Sequence, residues 1–191
     1  ILEIKKEKAL EYLEAVLYDG ILRQEDEIAI ASFGEPVITR IRTLEEIRPL
    51  SFQFKPVKEA KAAAGLRMQF TSKEEILPGM PFMLFKGDVT QISKEFKKEL
   101  AGALQVDKEG IIIKAESLGS LEALLQLLRL EHIPVSKAGI GKINKNDIAA
   151  AKAYLEKDLV HAAILGFNVY LDEEAREIAG DVKIFLNNVI Y

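Results

Sequence analysis

The sequence predicts two domains in series: a β-barrel, followed by an α/β domain whose four-stranded, mostly parallel sheet is flanked by helices. Three observations indicate this fold class. Short apolar runs separated by turn residues fill positions 1–87, a helical period follows over 88–109, and from 110 to 191 apolar strands alternate with amphipathic helices. A chain of 191 residues has room for one large domain or two small ones.

Short strands with turn punctuation predict the barrel. EPVITRIRTL (35–44) alternates side chains as a half-exposed strand does. Asp-Gly at 19–20 and Pro-Gly at 78–79 are tight-turn pairs, because glycine adopts positive φ without steric cost. EKALEYLEAVLY (7–18) has apolar residues at helical spacing, but it runs directly into the 19–20 turn, so we favour a strand for its second half. Several such strands are typical of a small barrel.

Residues 88–109 predict a connecting helix. Their apolar residues recur every four positions, which is the spacing of an amphipathic helix that packs against a neighbour, at Ile92, Phe96, Leu100 and Leu104.

Residues 110–191 read as alternating strands and helices. IIIKA (111–115) is a continuous apolar run, typical of a buried parallel strand. The later pattern predicts strands at 132–138, 162–170 and 182–186 and helices at 117–131, 145–157 and 173–179. Because parallel strands are joined by right-handed helical crossovers, we expect an α/β/α sandwich.

Composition excludes several kinds of site. The chain has no cysteine, and only His132 and His161 could supply imidazole, so no metal centre is expected. No GxSxG or HExxH motif occurs, and the carboxylates of LDEEAREIAG (171–180) suit a helix N-terminus better than acid–base chemistry. The net charge of −4 means that any RNA contact must come from a local patch.

The hydropathy and the first residue of the chain lead to expectations about its location in the cell and its extent. No signal pattern or apolar run of about 18 residues occurs, so we expect a cytoplasmic protein that does not contact membranes. We also expect a monomer. Because the first residue is Ile1, we expect the chain to be a piece of a longer protein.

The segment KAGIGKINKND (137–147) raises the possibility of a nucleotide site. A P-loop requires G-x-x-x-x-G-K-[ST], and here a single residue separates the glycines and no hydroxyl follows the lysine. A dinucleotide fingerprint requires a third glycine where this chain has Asn144. Neither nucleotide motif is therefore present, and we expect neither a catalytic nor a cofactor-binding residue in this chain.

A structural role fits the same segment better. Asn144 is a good N-cap, and Asp147 stands three residues further on, as in a capping box. Gly139 and Gly141 would then form the turn from strand to helix. Three lysines beside this turn, next to a helix N-terminus, are the candidate contacts for RNA phosphate: Lys137, Lys142 and Lys145.

Several segments together resemble a known family. SLGSLEALLQLLRLEHIPVSKAGIGKINKND, AAILGFNVYLDEEAREIA and VKIFLNNVIY are similar to the third domain of the translation initiation factor 2 / 5B family, in the family's order and near its spacing. VLYDG followed by DEIAI resembles the second domain of that family, a β-barrel shared by translational GTPases. The resemblance covers nearly the whole chain and fits the archaeal or eukaryotic branch better than the bacterial one.

The resemblance implies a function for the longer protein. The parent would be a GTPase, with GTP and magnesium bound in a domain before residue 1, that helps to place initiator tRNA and to join the ribosomal subunits. A long helix would begin after VIY and lead to a domain that meets initiator tRNA. The two domains present here would touch rRNA and protein of the small subunit and relay the state of the GTPase domain, without catalysis of their own.

The chain departs from the family pattern in the barrel. The family has glycines where this chain has Ala9 and Glu11, and a Gly-Asp turn where this chain has Glu25 and Asp26.

Two other functions stay open. One is a small-molecule-binding α/β domain that uses the crevice at the strand C-termini. The other is an interaction scaffold with protein partners only.

Overall fold

The computed structural model describes residues 1–7, 10–48, 50, 53–70, 76–103 and 105–191. The chain divides into two compact units, Ile1–Glu99 and Leu100–Tyr191. The division falls inside a helix rather than in a loop. This matches a sequence that places a helical period between two different patterns.

The first unit is built from short antiparallel strands. In its described part these are β1 Glu3–Glu7, β2 Leu10–Leu17, β3 Ile21–Arg23, β4 Glu27–Ile30, β5 Val37–Ile47, β6 Phe54–Pro56, β7 Glu59–Lys61, β8 Ala64–Phe70 and β9 Phe82–Leu84. The main sheet has the order β1-β2-β8-β5-β4-β9, with β6 added to β5, and β3 pairs separately with β7.

The two edge strands of the main sheet come together at their starts. The nitrogen of Ile1, just before β1, donates to the carbonyl of Met80, just before β9, at 3.0 Å. The interior is apolar, and Leu13, Ile28 and Met68 are fully buried. The predicted barrel domain is thus confirmed.

The segment EYLEAVL, whose apolar residues have helical spacing but which runs into the 19–20 turn, lies in strand β2. Along β2, Leu13 and Ala15 are buried whereas Val16 is 45% exposed, which is the two-residue period of a sheet. The strand pairs with β1 on one side and β8 on the other, so its backbone groups are bonded without a helix. The strand favoured for its second half is therefore confirmed.

The Asp-Gly turn joins strands that do not pair with each other. Gly20 has φ +86°, as the turn signal requires. However, β2 pairs with β1 and β8, whereas β3 pairs with β7. The Pro-Gly turn at 78–79 also forms, with φ +88° at Gly79.

The turn between β3 and β4 contains a departure from the family pattern. Glu25, which stands where the resemblance to the family leads us to expect glycine, has φ +71°. The backbone N–H of Arg23 donates to the Asp26 carboxylate at 2.7 Å, and the N–H of Glu25 donates to the Ile41 carbonyl at 3.0 Å. These bonds hold a residue with a Cβ in the left-handed region. Ala9, the site of another departure, lies outside the described residues.

We expect Glu25→Gly to stabilise the first unit by about 1 kcal/mol. A non-glycine residue in the left-handed region costs about 1–2 kcal/mol, which glycine would relieve. The greater flexibility of glycine in the unfolded chain offsets part of that stabilisation. Urea unfolding followed by circular dichroism would measure the change. Gly20→Ala is the matched control with the opposite sign, because its Cβ would meet nothing within 4 Å while its φ remains +86°. A Glu25→Gly protein less stable than wild type would contradict the prediction.

Helix α1, Val89–Ala103, runs across the boundary between the units. It begins where the Asp88 carboxylate accepts from the N–H of Gln91 at 2.9 Å. Ile92 and Phe96 are buried, as their spacing predicts, and Leu104 lies outside the described residues. No helix in the described part of the chain combines the length and apolarity needed to span a bilayer.

The second unit alternates strands and helices. Its elements are β10 Ile111–Ala115, α2 Leu118–Leu130, β11 Val135–Ile140, α3 Lys145–Lys152, β12 Ala163–Phe167, α4 Glu173–Ile178 and β13 Lys183–Asn187. The sheet order is β11-β10-β12-β13, and every pairing is parallel. The predicted four-stranded sheet with flanking helices is confirmed.

Several element boundaries differ from the sequence prediction. The connecting helix predicted over 88–109 spans Val89–Ala103, and the strand predicted over 162–170 spans Ala163–Phe167, with φ +51° at Asn168. The strand predicted to begin at His132 begins at Val135, because His132 has φ +57° and ends α2 in a Schellman motif. In that motif the N–H of Ile133 donates to the Leu128 carbonyl. The helix predicted over 145–157 ends at Lys152, and tighter turns with i→i+3 bonds follow it.

The helices cover both faces of the sheet. The chain moves from β10 to β11 on one side and then back across to β12 and β13, so right-handed crossovers place α2 opposite α3 and α4. Ile148 of α3 and Ala175 of α4 are buried in one cluster with Ile112 and Ile164 of the sheet. The buried leucines of α2 pack on β10 and β11.

Candidate functional site

Three charged side chains, here called the ion cluster, meet at the start of α3. Lys114 of β10 and Lys137 of β11 place their Nζ atoms 3.4 and 2.9 Å from the two carboxylate oxygens of Asp147. Asp147 is 1% exposed and Lys114 is 7% exposed, whereas the side chain of Lys137 is 45% exposed. Two lysines face one carboxylate, so the cluster carries excess positive charge that reaches solvent through Lys137.

Helix capping fixes the position of the carboxylate. The side chain of Asn144 accepts from the N–H groups of Asn146 and Asp147, and the Asp147 carboxylate accepts from the N–H of Asn144 at 3.1 Å. This is a capping box. Ile143 before the cap and Ile148 after it are fully buried in one cluster, so the chain enters the helix at a defined angle.

The two glycines of the motif have different roles. Gly141 lies in the turn with φ +86°, whereas Gly139, expected in the same turn, lies inside β11. Lys114 of β10 lies between two glycines in the sheet register. Its partner on β11 is Gly139, and its partner on β12 is Gly166. A Cβ on Gly139 would lie 3.1 Å from the Nζ of Lys114. Gly139 therefore makes room for a buried lysine.

The cluster keeps Asp147 ionised. Burial alone would raise the pKa of this carboxyl. The hydrogen bond from Lys137, the N–H of Asn144 and the charge of Lys114 outweigh burial and hold the pKa below its ordinary value of 3.8. The carboxylate is thus a fixed negative charge between two cations.

The three lysines predicted to contact RNA do not form one patch. Lys137 turns towards Asp147, and Lys145 pairs with Glu174 at 2.9 Å. Lys142 is exposed, but it shares a shallow pocket with Asp172, Glu173, Glu174 and Arg176. Carboxylates therefore surround the side of the turn that holds Lys142 and Lys145.

The crevice at the C-terminal ends of the strands is bridged by the protein itself. The strand order reverses between β10 and β12, which is where open α/β sheets commonly bind ligands. There the side-chain amide of Asn168 donates to the Glu116 carboxylate at 3.0 Å, and the hydroxyl of Ser120 donates to the same oxygen at 3.4 Å. Within the described residues, no group of three or more His, Asp or Glu side chains could hold a metal ion.

An open groove, here called the β11 groove, lies on the other side of the ion cluster. Its volume is about 690 Å³, and it is lined by Lys108, Glu109, Ile112, Ser136, Lys137, Ala150, Ala153, Tyr154, Lys157, Asp158 and His161. His161 Nδ1 lies 3.1 Å from the Asp158 carboxylate. Ser136 is not a nucleophile for that pair, because its hydroxyl donates to the Gly110 carbonyl at 2.7 Å. The lining thus combines three lysines with the carboxylates of Glu109 and Asp158.

Sequence reasoning missed the central residue of the cluster. Lys114 stands in the apolar run IIIKA, and a lysine inside a buried strand needs a counter-charge. That signal could have indicated a buried ion pair. The partner could not be identified, because Asp147 reaches Lys114 only through the parallel sheet and the placement of α3.

The fold defines a two-unit protein in which a strand-rich antiparallel unit precedes a parallel α/β unit, and the second unit holds the ion cluster on rigid elements. The model of the family Translation-initiation factor 2 matches residues 86–191, more than half of the chain, so the chain belongs to that family. The resemblance inferred from the sequence is confirmed.

Archaeal relatives support the same assignment over the full chain. A probable translation initiation factor IF-2 of Methanopyrus kandleri is 40% identical over 96% of this chain and 32% of its own length. The corresponding factor of Pyrococcus abyssi is 37% identical over 100% of this chain and 20% of its own length. The crystal structure of GDP-bound aIF5B from Aeropyrum pernix aligns with all of this chain and 34% of that one, at 30% identity and a TM-score of 0.80. The chain thus spans between about a fifth and about a third of the length of these relatives.

Proposed function

We propose that this chain is the second and third domains of a translation initiation factor GTPase. Residues 1–87 would form the barrel domain, 88–109 the connecting helix and 110–191 the α/β/α sandwich that leads into a long helix. The whole cytoplasmic protein would promote initiator tRNA placement and joining of the ribosomal subunits. The piece described here would dock, as a monomer, on rRNA and protein of the small subunit and couple the GTPase domain to the domain that binds initiator tRNA.

One observation carries this proposal. The A. pernix structure aligns with 100% of this chain at a TM-score of 0.80, and that factor is described as GDP-bound. GTP and magnesium would be held by a domain outside this sequence. The described residues hold no P-loop, so binding and coupling are what this piece would contribute.

The lysines at the start of α3 are candidate contacts within this proposal. Lys137, Lys142 and Lys145 stand around the start of α3, and we propose them as rRNA contacts. Lys142 is the most available of the three, because Lys137 and Lys145 each have a carboxylate within 2.9 Å. Asn144, Asp147 and Gly141 would serve as the rigid support of that turn.

Co-sedimentation of the chain with archaeal small ribosomal subunits across a salt series tests the proposal. We expect salt-sensitive binding, since phosphate contacts release counterions. Lys142→Glu should reduce the slope of log affinity against log salt by about one. Lys183→Glu, an exposed lysine on β13, is the matched control and should keep the wild-type slope. Absence of binding at low salt would refute docking by this piece, and an unchanged slope for Lys142→Glu would remove that residue from the contact.

A further inference from the structure

We propose that the β11 groove binds the phosphodiester backbone of RNA, with Lys108, Lys137 and Lys157 as the phosphate ligands. The inference rests on the proposed ribosome docking and assigns it to a surface that includes Lys137 but not Lys142 or Lys145 of the turn before α3. Lys108 and Lys157 are not near that turn in sequence, and the tertiary structure alone brings them beside Lys137.

The groove follows the edge of the sheet formed by β11, where only Val135, at the start of the strand, is hydrogen-bonded by Asp107 among the contacts of the described residues. β11 is an edge strand, and α3 and α4 pack against the sheet farther in, around Ile112 and Ile164. Ser136 and Lys137 of β11 therefore line an open channel with Tyr154, just after α3, on its other wall. A channel along a strand suits an extended chain better than a compact ligand.

Lys137 is a pre-oriented phosphate ligand. An ammonium group has three N–H donors, and Asp147 occupies one of them at 2.9 Å. The remaining donors are available at a side chain that is 45% exposed. Because the ion pair already restricts this long side chain, RNA binding would lose less side-chain entropy here than at an unrestrained lysine.

The charges of the groove favour an anion. Three lysines and two carboxylates line the groove: Lys108, Lys137 and Lys157 against Glu109 and Asp158. Behind Lys137, the charges of Lys114 and Asp147 cancel, so the groove keeps a net positive charge. Asp158 is already engaged, by His161 at 3.1 Å and by the N–H of Val160 at 2.9 Å. Three carboxylates, in contrast, line the pocket that holds Lys142.

An aromatic wall adds a contact that a purely ionic patch lacks. The ring of Tyr154 meets that of His161 edge-on, with centroids 6.1 Å apart. Both rings line the groove. Aromatic groups next to lysines are the usual composition of channels that bind single-stranded nucleic acid without reading its sequence.

The test measures binding of the 191-residue chain to two probes, archaeal small ribosomal subunits and a fluorescein-labelled single-stranded RNA, over a salt series. Lys108→Glu/Lys157→Glu is the test variant, because neither lysine has an ion pair among the described residues. We expect it to weaken binding roughly tenfold at low salt and to reduce the salt slope by about two. Lys97→Glu/Lys98→Glu, two exposed lysines of α1, makes the same change in charge and should bind like wild type.

The outcomes separate this inference from the proposed function. Subunit binding that the test variant leaves unchanged, or that both double variants weaken equally, would overturn the groove and keep the docking function. Loss of single-stranded RNA binding by the test variant alone, with no subunit binding by wild type, would keep the groove and overturn ribosome docking. If wild type binds neither probe, both proposals are wrong. The circular dichroism spectrum of each variant must match that of wild type. If Lys108→Glu/Lys157→Glu fails this check, Lys108→Gln/Lys157→Gln takes its place as the test variant.

Discussion

Asp147→Asn is expected to destabilise the second unit by about 3–5 kcal/mol, the cost of removing one partner from a buried ion pair. Asparagine keeps the size and the hydrogen-bonding oxygen of aspartate, so the capping box can persist. What is lost is the charge that compensates Lys114, which is 7% exposed and cannot be rehydrated without moving the strand. The loss should therefore be larger than that of a helix cap alone, which is about 1 kcal/mol.

The effect should depend on pH in a defined direction. The pKa of Asp147 in the folded protein lies below 3.8, its value in the unfolded chain. A carboxyl with a depressed pKa stabilises the fold fully above the unfolded value and loses that contribution as the pH falls through the folded value. The difference in unfolding free energy between wild type and Asp147→Asn should be constant near neutral pH and should shrink below pH 3.8.

Urea unfolding followed by the helical circular dichroism signal measures this difference, because α2, α3 and α4 lie in the second unit. Glu174→Gln is the matched control. It removes one carboxylate from a lysine in the same pair of helices, but Glu174 is 70% exposed. We expect a change within about 0.5 kcal/mol for this surface pair. Equal effects of the two substitutions would refute the view that burial makes the ion cluster stabilising.

Gly110→Ala is expected to be the most damaging small substitution in the second unit, by about 3 kcal/mol or more. Gly110 has φ +148°, and a Cβ there would lie 2.2 Å from the Pro134 carbonyl oxygen and 2.7 Å from the Val135 nitrogen. These are backbone atoms at the start of β11, and the N–H of Ile111 donates to that same Pro134 oxygen at 3.0 Å. Neither strand can move away without breaking the pairing of β10 with β11.

Hydrogen exchange of the β10 amides would show whether the damage begins at this pairing. Gly119→Ala is the control, because Gly119 lies in α2 and its Cβ would meet nothing within 4 Å. Alanine there should stabilise the unit by up to about 1 kcal/mol. If Gly110→Ala unfolded at the same urea concentration as wild type, the close approach of the two chains would not be a constraint.

Local chemistry explains which predictions were confirmed. The strand at 111–115 and the caps of the helices are set by hydrogen bonds and side chains a few residues apart, so the sequence shows them directly. The start of β11 was misplaced because His132 adopts φ +57°, which a non-glycine residue rarely signals. For the same reason, the sequence showed that Glu25 departs from the family pattern but not that it adopts a positive φ.

The candidate site was only partly predictable. The turn and the cap of KAGIGKINKND follow from residue types, whereas the role of Gly139 depends on the register that sets it beside Lys114. The three lysines were grouped because they are neighbours in sequence. The strand and the helices then direct them to different partners, Asp147 for Lys137 and Glu174 for Lys145.

By itself, the sequence determined the order of the two units, the strand and helix periods, the capping box and the likeness to a family. Each of these depends on interactions within a few residues or on similarity along the chain. The tertiary structure alone decided that Lys114 and Lys137 enclose Asp147, that Gly110 touches the chain before β11, and that Lys108 and Lys157 border one groove. These depend on sheet order and register, because charges and backbone atoms from distant segments interact only once folding has brought them within a few ångströms.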